Sequence, residues 1–295
     1  MNLSTPEGHD GQAPSRRAVA ASLFTAAYAA AAGRANAEAI TTPTDGLTIV
    51  ETHIAGAGGY RLPAYTVRPR ARGRYPAIVV VNEIFGIHAY IRDVCHRFAR
   101  EGFVAIAPDY FDRAGDPSTL TDFGAIRAIV GTAGHEQVMG DTQGALDWIV
   151  GRRFTAPNKA AITGFCWGGA VTWMAAARFP ERIKAGVAWY GRLVAPPEDG
   201  FGAEPGRQWP ADIAPALRTP VLGLYAENDR GIPLGSVETM RAALASTGNA
   251  SGSEIVVYPG TEHGFHADYR ASYNEAAARD GWTRALAWLR THGVA

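Results

Sequence analysis

The sequence has little cysteine and no excess of charge of either sign. Cys95 and Cys166 are its only cysteines among 295 residues. Should Cys166 react as a nucleophile, Cys95 has no partner, and a disulfide framework is excluded. Basic and acidic residues number 28 each, so the formal net charge is zero. Without a basic run, the composition does not favour a protein that binds nucleic acid.

Long apolar runs and metal-binding motifs are also missing. The longest weakly apolar stretch, residues 18–32, is too short to span a bilayer stably, so we expect no integral membrane segment. The histidines form no H-E-x-x-H motif and there is no cysteine cluster, so neither a metal site nor a cofactor is expected. The expected partner is a small-molecule substrate, bound by a monomer or a small homo-oligomer.

The N-terminus differs in composition from the rest of the chain. The twin arginines of residues 15–17 precede the alanine-rich stretch, and an A-x-A-like cleavage site follows at residues 35–37. This three-part pattern predicts a Tat-type signal peptide over residues 1–37 and export to the periplasm. The alternatives are a disordered extension or a short surface helix on a cytoplasmic protein. Residues 38–295 are then expected to form a single domain.

From residue 47 onward, the hydrophobic pattern is that of an α/β protein. Residues 47–54 and 60–67 alternate as a hairpin, and the glycine-rich link between them joins two strands, which argues against a dinucleotide-binding loop. Six short apolar runs indicate buried parallel strands, at 77–81, 103–107, 160–163, 185–189, 221–225 and 255–258. Helical segments separate most of them, at 90–100, 136–150, 170–178, 237–245 and 273–291. The pattern predicts an eight-stranded, mostly parallel sheet flanked by helices.

One strand is followed by a reactive-looking turn. Residues 164–169 read G-F-C-W-G-G, between an apolar strand and an alanine-rich helix. This is the nucleophile-elbow pattern G-x-S-x-G with cysteine in place of serine. A helix N-terminus behind Cys166 would favour its thiolate. The alternative is a buried structural cysteine in a glycine-rich turn.

Two further strand ends supply the remaining members of a catalytic triad. Asp229 follows the strand at 221–225, and His263 follows the strand at 255–258. The order nucleophile, acid, histidine is typical of α/β-hydrolases. Glu227 and His266 compete for the acid and base roles, but Asp229 and His263 are better placed. The loop at 196–210, rich in glycine and proline, is expected to form a wall of the site.

With these motifs in place, the chain resembles the dienelactone hydrolase family, the carboxymethylenebutenolidases and their relatives, over nearly all of residues 48–292. The resemblance rests on residues 82–86 (N-E-I-F-G), 107–110 (A-P-D-Y), 164–169 (G-F-C-W-G-G), 228–229 (N-D) and 262–265 (E-H-G-F). It implies the α/β-hydrolase fold and a catalytic triad of Cys166, Asp229 and His263.

The resemblance also implies roles for four other residues. Glu83 would contact the resting cysteine and control its ionisation, and the backbone N–H groups of Ile84 and Trp167 would form the oxyanion hole. Arg113 would bind a substrate carboxylate. A second carboxylate-binding arginine would stand four residues after His263, where this chain has Ala267. Arg270 lies three residues beyond Ala267 and need not reach the site.

These features predict a hydrolase that cleaves an ester or lactone of a small molecule, in the manner of a dienelactone or butenolide hydrolase. The nucleophile would be a cysteine and the intermediate a thioester. Two alternatives remain open. One is a carboxylesterase of broad specificity, and the other is a catalytically silent hydrolase-fold protein that only binds a ligand.

Overall fold

The computed structural model of the protein describes residues 39–198 and 200–295. The predicted signal peptide, residues 1–37, lies outside these residues. Within residues 39–198 and 200–295, no helix has both the length and the apolar character needed to cross a membrane.

The strands and helices alternate along most of the chain. The strands are β1 (Leu47–Ala55), β2 (Arg61–Pro69), β3 (Tyr75–Val81), β4 (Val104–Pro108), β5 (Thr155–Phe165), β6 (Ala185–Trp189), β7 (Val221–Ala226) and β8 (Glu254–Tyr258). The α-helices are α1 (Ala89–Arg100), α2 (Phe123–Val130), α3 (His135–Val150), α4 (Trp167–Arg178), α5 (Pro210–Ile213), α6 (Leu234–Ala245) and α7 (Glu275–Thr291). Short 3-10 helices occur at Ala57–Gly59, Pro117–Thr119 and Ala214–Ala216.

All eight strands form one sheet in the order β1-β2-β4-β3-β5-β6-β7-β8. β1 and β2 form an antiparallel hairpin, and β2 pairs antiparallel with β4. Every other pairing is parallel. The predicted eight-stranded, mostly parallel sheet is therefore confirmed. Because parallel strands point the same way, the loops after β3, β5, β7 and β8 meet at one edge of the sheet.

The central strands are apolar because helices cover both faces of the sheet. The exposed fraction is zero for Ile78, Val79 and Ile162, and for Val187 in β6. Cys95, on α1, is also fully buried in this core, as expected, and burial raises the pKa of its thiol well above the usual value.

The hydrophobic pattern of the sequence did not predict two of the helices, α2 and α5. α2 has eight residues, and its start is marked by Asp122, whose side chain accepts the N–H of Ala125 at 2.7 Å. That aspartate cap is a readable signal for a helix start. α5 has only four residues, too few for a hydrophobic period to show. β5 begins at Thr155, before the predicted start. Its first residues are largely polar and partly exposed, so they lack the apolar pattern by which the strand was predicted.

A short segment before β1 is tied to the body of the protein. Thr42 donates from its hydroxyl to Asp93 of α1 at 3.1 Å, and its N–H donates to the same carboxylate. Arg97 binds Asp93 at 2.6 Å and also pairs with Asp268, in the loop that follows β8. This ion-pair cluster, Asp93-Arg97-Asp268, connects residues 40–43 with the loop that carries His263.

Candidate active site

Cys166 lies at the sharp turn between β5 and α4. Its backbone angles are φ 55° and ψ −114°, a conformation that L-residues rarely adopt. The turn is held by the N–H of Cys166, which donates to the carbonyl of Trp189 on β6 at 3.0 Å. Such a strained turn at the start of a helix presents the side chain above the sheet edge, as a nucleophile elbow requires.

Glycines allow the close approaches that this turn needs. A Cβ on Gly168 would lie 2.5 Å from the carbonyl oxygen of Val81, at the end of β3. A Cβ on Gly164 would lie 2.1 Å from the carbonyl oxygen of Gly168. The start of α4 therefore packs directly against the loop that holds residues 82–86, and Ile84 and Trp167 line the same cavity as Cys166.

Asp229 and His263 meet across the ends of β7 and β8. Asp229 Oδ2 lies 2.7 Å from His263 Nδ1. The other carboxylate oxygen accepts the backbone N–H groups of Gly231 at 2.8 Å and Ile232 at 3.0 Å. With both oxygens engaged, the carboxylate orients the imidazole and stabilises its cationic form.

Cys166 and His263 interact by a side-chain hydrogen bond and by charge. Burial alone would raise the pKa of the thiol, but the charge of His263 and this hydrogen bond lower it. Burial would lower the pKa of His263, but the charges of Asp229 and Cys166 raise it. The opposite shifts favour a thiolate–imidazolium pair. The structure thus brings together the three residues predicted as a triad.

The two competing residues lie elsewhere. His266 Nδ1 bonds the hydroxyl of Tyr90 at 2.6 Å, and burial lowers the pKa of His266 to about 3, so this imidazole is neutral. Glu227 accepts the backbone N–H of Gly260 at 2.8 Å in an exposed loop. Neither geometry places the side chain against Cys166.

Glu83 is fully buried and acts as the anion of an ion-pair network. Its carboxylate accepts hydrogen bonds from Arg270 at 2.9 Å and from Tyr269 at 2.6 Å, and His88 Nε2 lies 3.4 Å away. Burial would raise the pKa of Glu83, but Arg270, His88 and Tyr269 hold it well below the usual value. The charge of Glu83 in turn raises the pKa of Cys166.

Arg270 reaches the site, contrary to the expectation that it need not do so. Its exposed fraction is 1%, and it is the main cationic partner of Glu83. Its charge lowers the pKa of Cys166 and so opposes that of Glu83. No signal in the sequence marked it, because 187 positions separate Arg270 from Glu83.

Arg113 has a different partner from the one that the family resemblance implied. Its guanidinium forms two parallel hydrogen bonds with the buried carboxylate of Asp141 on α3, at 2.7 and 2.8 Å. It also donates to the carbonyl of Ala57 at 3.3 Å and stacks on Tyr60 at 4.2 Å. This geometry favours a structural role, the attachment of the β1–β2 hairpin to α3, over the binding of a substrate.

A cavity of about 320 Å³ opens beside Cys166. Ile84 and Trp167 line it, and residues 201–205, 207 and 209 form one wall. The prediction that the loop at 196–210 walls the site is therefore confirmed. Among the described residues, no cluster of histidine, cysteine and carboxylate side chains could hold a metal ion.

Comparison with known proteins finds relatives that match most of the chain. Residues 62–293 match the model of the dienelactone hydrolase family. The chain is 42% identical to a protein of Methylorubrum extorquens named "Putative carboxymethylenebutenolidase", over 95% of this chain and 94% of the other. A protein of the same name from Escherichia coli K12 is 42% identical over 90% of this chain and 95% of its own length.

A similar structure has also been solved. The crystal structure of a dienelactone hydrolase homologue from Klebsiella pneumoniae is 45% identical to this chain, with a TM-score of 0.75. The likeness covers 83% of this chain and 98% of that one.

Proposed function

Because this chain belongs to the dienelactone hydrolase family, and is thus an ester or lactone hydrolase with the α/β-hydrolase fold, we propose that it works through a cysteine triad of Cys166, His263 and Asp229. The observation that carries the proposal is the chain of contacts from Asp229 to His263 at 2.7 Å and from His263 to the thiol of Cys166. The substrate would be a small lactone or ester that enters the cavity beside Cys166.

In the first half of the reaction, the Cys166 thiolate attacks the carbonyl carbon and forms a C–S bond. The carbonyl oxygen becomes an oxyanion, which the N–H groups of Ile84 and Trp167 would stabilise. The C–O bond then breaks, and the leaving oxygen takes the proton from the His263 imidazolium. In a lactone, the leaving enol or alcohol stays attached to the acyl group, which is now a thioester on Cys166.

In the second half, water replaces the leaving oxygen. His263, now neutral, takes a proton from the water as it attacks the thioester carbonyl. The C–S bond breaks, a carboxylic acid is released, and the proton on His263 restores the thiolate–imidazolium pair with Cys166. Neither half consumes a redox equivalent, and the only co-reactant is water.

Glu83 would set the reactivity of the thiolate through charge. Its carboxylate disfavours the thiolate, and Arg270 favours it. If a bound substrate displaced Glu83 or Arg270, the pKa of Cys166 would change as well. The family resemblance implied this influence on ionisation together with a direct contact with Cys166, whereas the carboxylate of Glu83 accepts hydrogen bonds from Arg270 and Tyr269.

A rapid-quench experiment tests the cysteine mechanism. An activated aryl ester mixed with the enzyme and quenched in acid should add the acyl mass to the peptide that contains Cys166, and hydroxylamine should remove it. Cys166→Ala should show neither the adduct nor turnover, and Cys95→Ala should keep both because Cys95 is buried in the core. Turnover that persists in Cys166→Ala would refute the mechanism, and a wild-type protein that binds the ester without turnover would favour the silent binding protein.

A further inference from the structure

The cavity beside Cys166 is lined by Arg207, whose side chain is largely buried and whose ion pair is long. The side chain of Arg207 is only 9% exposed. Within the described part of the chain, its acidic neighbour is Glu204, whose Oε2 lies 3.7 Å from Nη1 of Arg207, too far for a hydrogen bond. Among the described residues, its Nε has no hydrogen-bond partner. Buried charges are normally paired and hydrogen-bonded, so this arrangement is costly unless an anion completes it.

Glu204 is also engaged elsewhere. Its carboxylate accepts the backbone N–H of His135 at 3.2 and 3.4 Å, at the first turn of α3. A carboxylate at a helix N-terminus is stabilised by the helix dipole, so Glu204 has a favourable partner other than Arg207. The contrast with Arg113 is direct, because both oxygens of Asp141 bind that guanidinium at hydrogen-bond distance.

Arg207 is held in place without a carboxylate. Its guanidinium stacks on the ring of Trp209 at 4.3 Å, and Trp209 is itself 5% exposed. The N–H of Trp209 donates to Asp212 at 2.8 Å, which fixes the start of α5. Stacking orients the plane of a guanidinium while leaving its N–H groups available for a planar anion.

The cavity is electropositive around Arg207. Arg192 also lines the cavity, and Glu204 is the only acidic residue among the described residues that line it. Burial lowers the pKa of Arg207, and Arg192 lowers it further against the opposing charge of Glu204. Arg192 therefore adds positive charge to the part of the cavity in which Arg207 lies.

We propose that Arg207 binds a carboxylate on the substrate and makes the enzyme selective for anionic lactones and esters. The inference rests on the proposed function only in taking this cavity as the acyl-transfer site. A carboxylate is planar and accepts two parallel N–H bonds from a guanidinium. Arg207, on the loop after β6, would then supply the recognition that Arg113 does not, because Arg113 is bound to Asp141.

A matched pair of substrates tests this selectivity. 4-Nitrophenyl hemisuccinate and its methyl ester share a leaving group and differ in one negative charge. The wild-type enzyme should prefer the hemisuccinate. Arg207→Gln should lower kcat/KM for the hemisuccinate by about 10- to 100-fold, mostly through KM, and for the methyl ester by less than about threefold.

Arg152→Gln is the matched control, since Arg152 also stacks on a tryptophan, Trp148, at 4.0 Å but does not line the cavity. It should leave unchanged the ratio of kcat/KM for the hemisuccinate to kcat/KM for the methyl ester. An equal loss on both substrates in Arg207→Gln, or no loss, would overturn the inference. Cys166→Ala separates the two proposals: if it abolishes hydrolysis of the methyl ester while Arg207→Gln leaves the ratio unchanged, the cysteine mechanism stands and the selectivity inference fails.

A second variant keeps the test decisive should Arg207→Gln fold poorly. Glu204→Gln removes the negative charge next to Arg207 but can still accept the N–H of His135. The KM for the hemisuccinate should fall, because the substrate carboxylate no longer competes with Glu204, while the KM for the methyl ester stays the same. If Arg207 and Glu204 form only a structural pair, Glu204→Gln would lower the melting temperature and leave the substrate ratio unchanged.

Discussion

At the scale of single residues, three neighbouring charges and burial set the ionisation of Cys166. His263 and Arg270 favour the thiolate, whereas burial and Glu83 disfavour it. The net effect is a pKa below the ordinary value. The pKa of Cys166 therefore depends on each neighbouring charge, and each charge can be removed by substitution.

The pH dependence of alkylation measures this balance. The rate of iodoacetamide attack on Cys166 should reach its midpoint below the pH of about 8.5 at which an ordinary cysteine ionises. Glu83→Gln should lower the midpoint further because it removes a negative charge, and Arg270→Gln should raise it because it removes a positive one. Intact mass spectrometry over a pH series gives both shifts.

Cys166→Ala is the control for this experiment. It should take up no iodoacetamide, because Cys95 is fully buried and its thiol pKa is raised. Midpoints that coincide in the wild type and in both charge variants would contradict the idea that Glu83 and Arg270 tune Cys166.

Arg113 is expected to matter for stability more than for substrate binding. Arg113→Met leaves the Asp141 carboxylate buried without its cation, which should cost about 3–5 kcal/mol in the free energy of unfolding. KM for anionic and neutral esters should change little at temperatures where the variant is folded. Urea unfolding together with steady-state kinetics would show the two effects separately.

Arg182→Met is the comparison for Arg113→Met. Arg182 binds Asp147 at 2.6 Å, but that carboxylate is 60% exposed. Arg182→Met should therefore lower the free energy of unfolding by about 1 kcal/mol or less. A selective rise in KM for anionic esters in Arg113→Met, with unchanged stability, would restore the substrate-binding role that the family resemblance implied.

At the scale of elements, the packing of α4 against the end of β3 positions the nucleophile. Gly168→Ala would place a methyl group 2.5 Å from the backbone oxygen of Val81 and 2.7 Å from that of Asn82. Backbone atoms cannot move aside cheaply, so α4 must shift and Cys166 with it. We expect the turnover of an aryl ester to fall by at least about 100-fold, since misplacement by about 1 Å is enough for such a loss.

Gly235→Ala, in the first turn of α6, is the control for Gly168→Ala. A Cβ there meets no atom within 4 Å, and the glycine has ordinary helical geometry. The variant should keep full activity and gain roughly 0.4–1 kcal/mol in the free energy of unfolding. Full activity in a folded Gly168→Ala protein would show that the position of α4 is not critical to the site.

At the scale of the whole molecule, the segment before β1 has consequences for processing. We propose that the chain is exported and cleaved after Ala37. A mature chain that begins at Glu38 keeps Thr42 and its hydrogen bonds to Asp93. N-terminal sequencing of periplasmic material should therefore give Glu38, and a variant with Arg16→Lys and Arg17→Lys should stay in the cytoplasm.

A shortened chain measures what this segment contributes. A chain that starts at Asp45 lacks Thr42, so it should melt about 2–4 °C below one that starts at Glu38, the equivalent of about 1 kcal/mol. Equal melting temperatures would show that the segment adds nothing to stability. An intact Met1 in a cytoplasmic fraction would contradict the export proposal.

The sequence alone predicted the fold and the order of the candidate triad. Hydrophobic period and strand-end motifs are local, and an α/β sheet brings the carboxyl ends of its parallel strands to one edge. Cys166, Asp229 and His263 each lie a few residues after the end of a predicted strand, so their meeting followed from topology. Short helices such as α5 could not be predicted in this way, because four residues are too few to show a hydrophobic period.

Only the tertiary structure decided which arginine meets which carboxylate. Arg113 could have faced the substrate, but α3 brings Asp141 to it, and Arg270 meets Glu83 across 187 positions. Arg207 faces the cavity with an incomplete set of partners because the loop after β6 folds back over the start of α3. Long, flexible cations pair with whatever anion the fold brings near, and that choice is made by three-dimensional packing between distant segments, which no local pattern encodes.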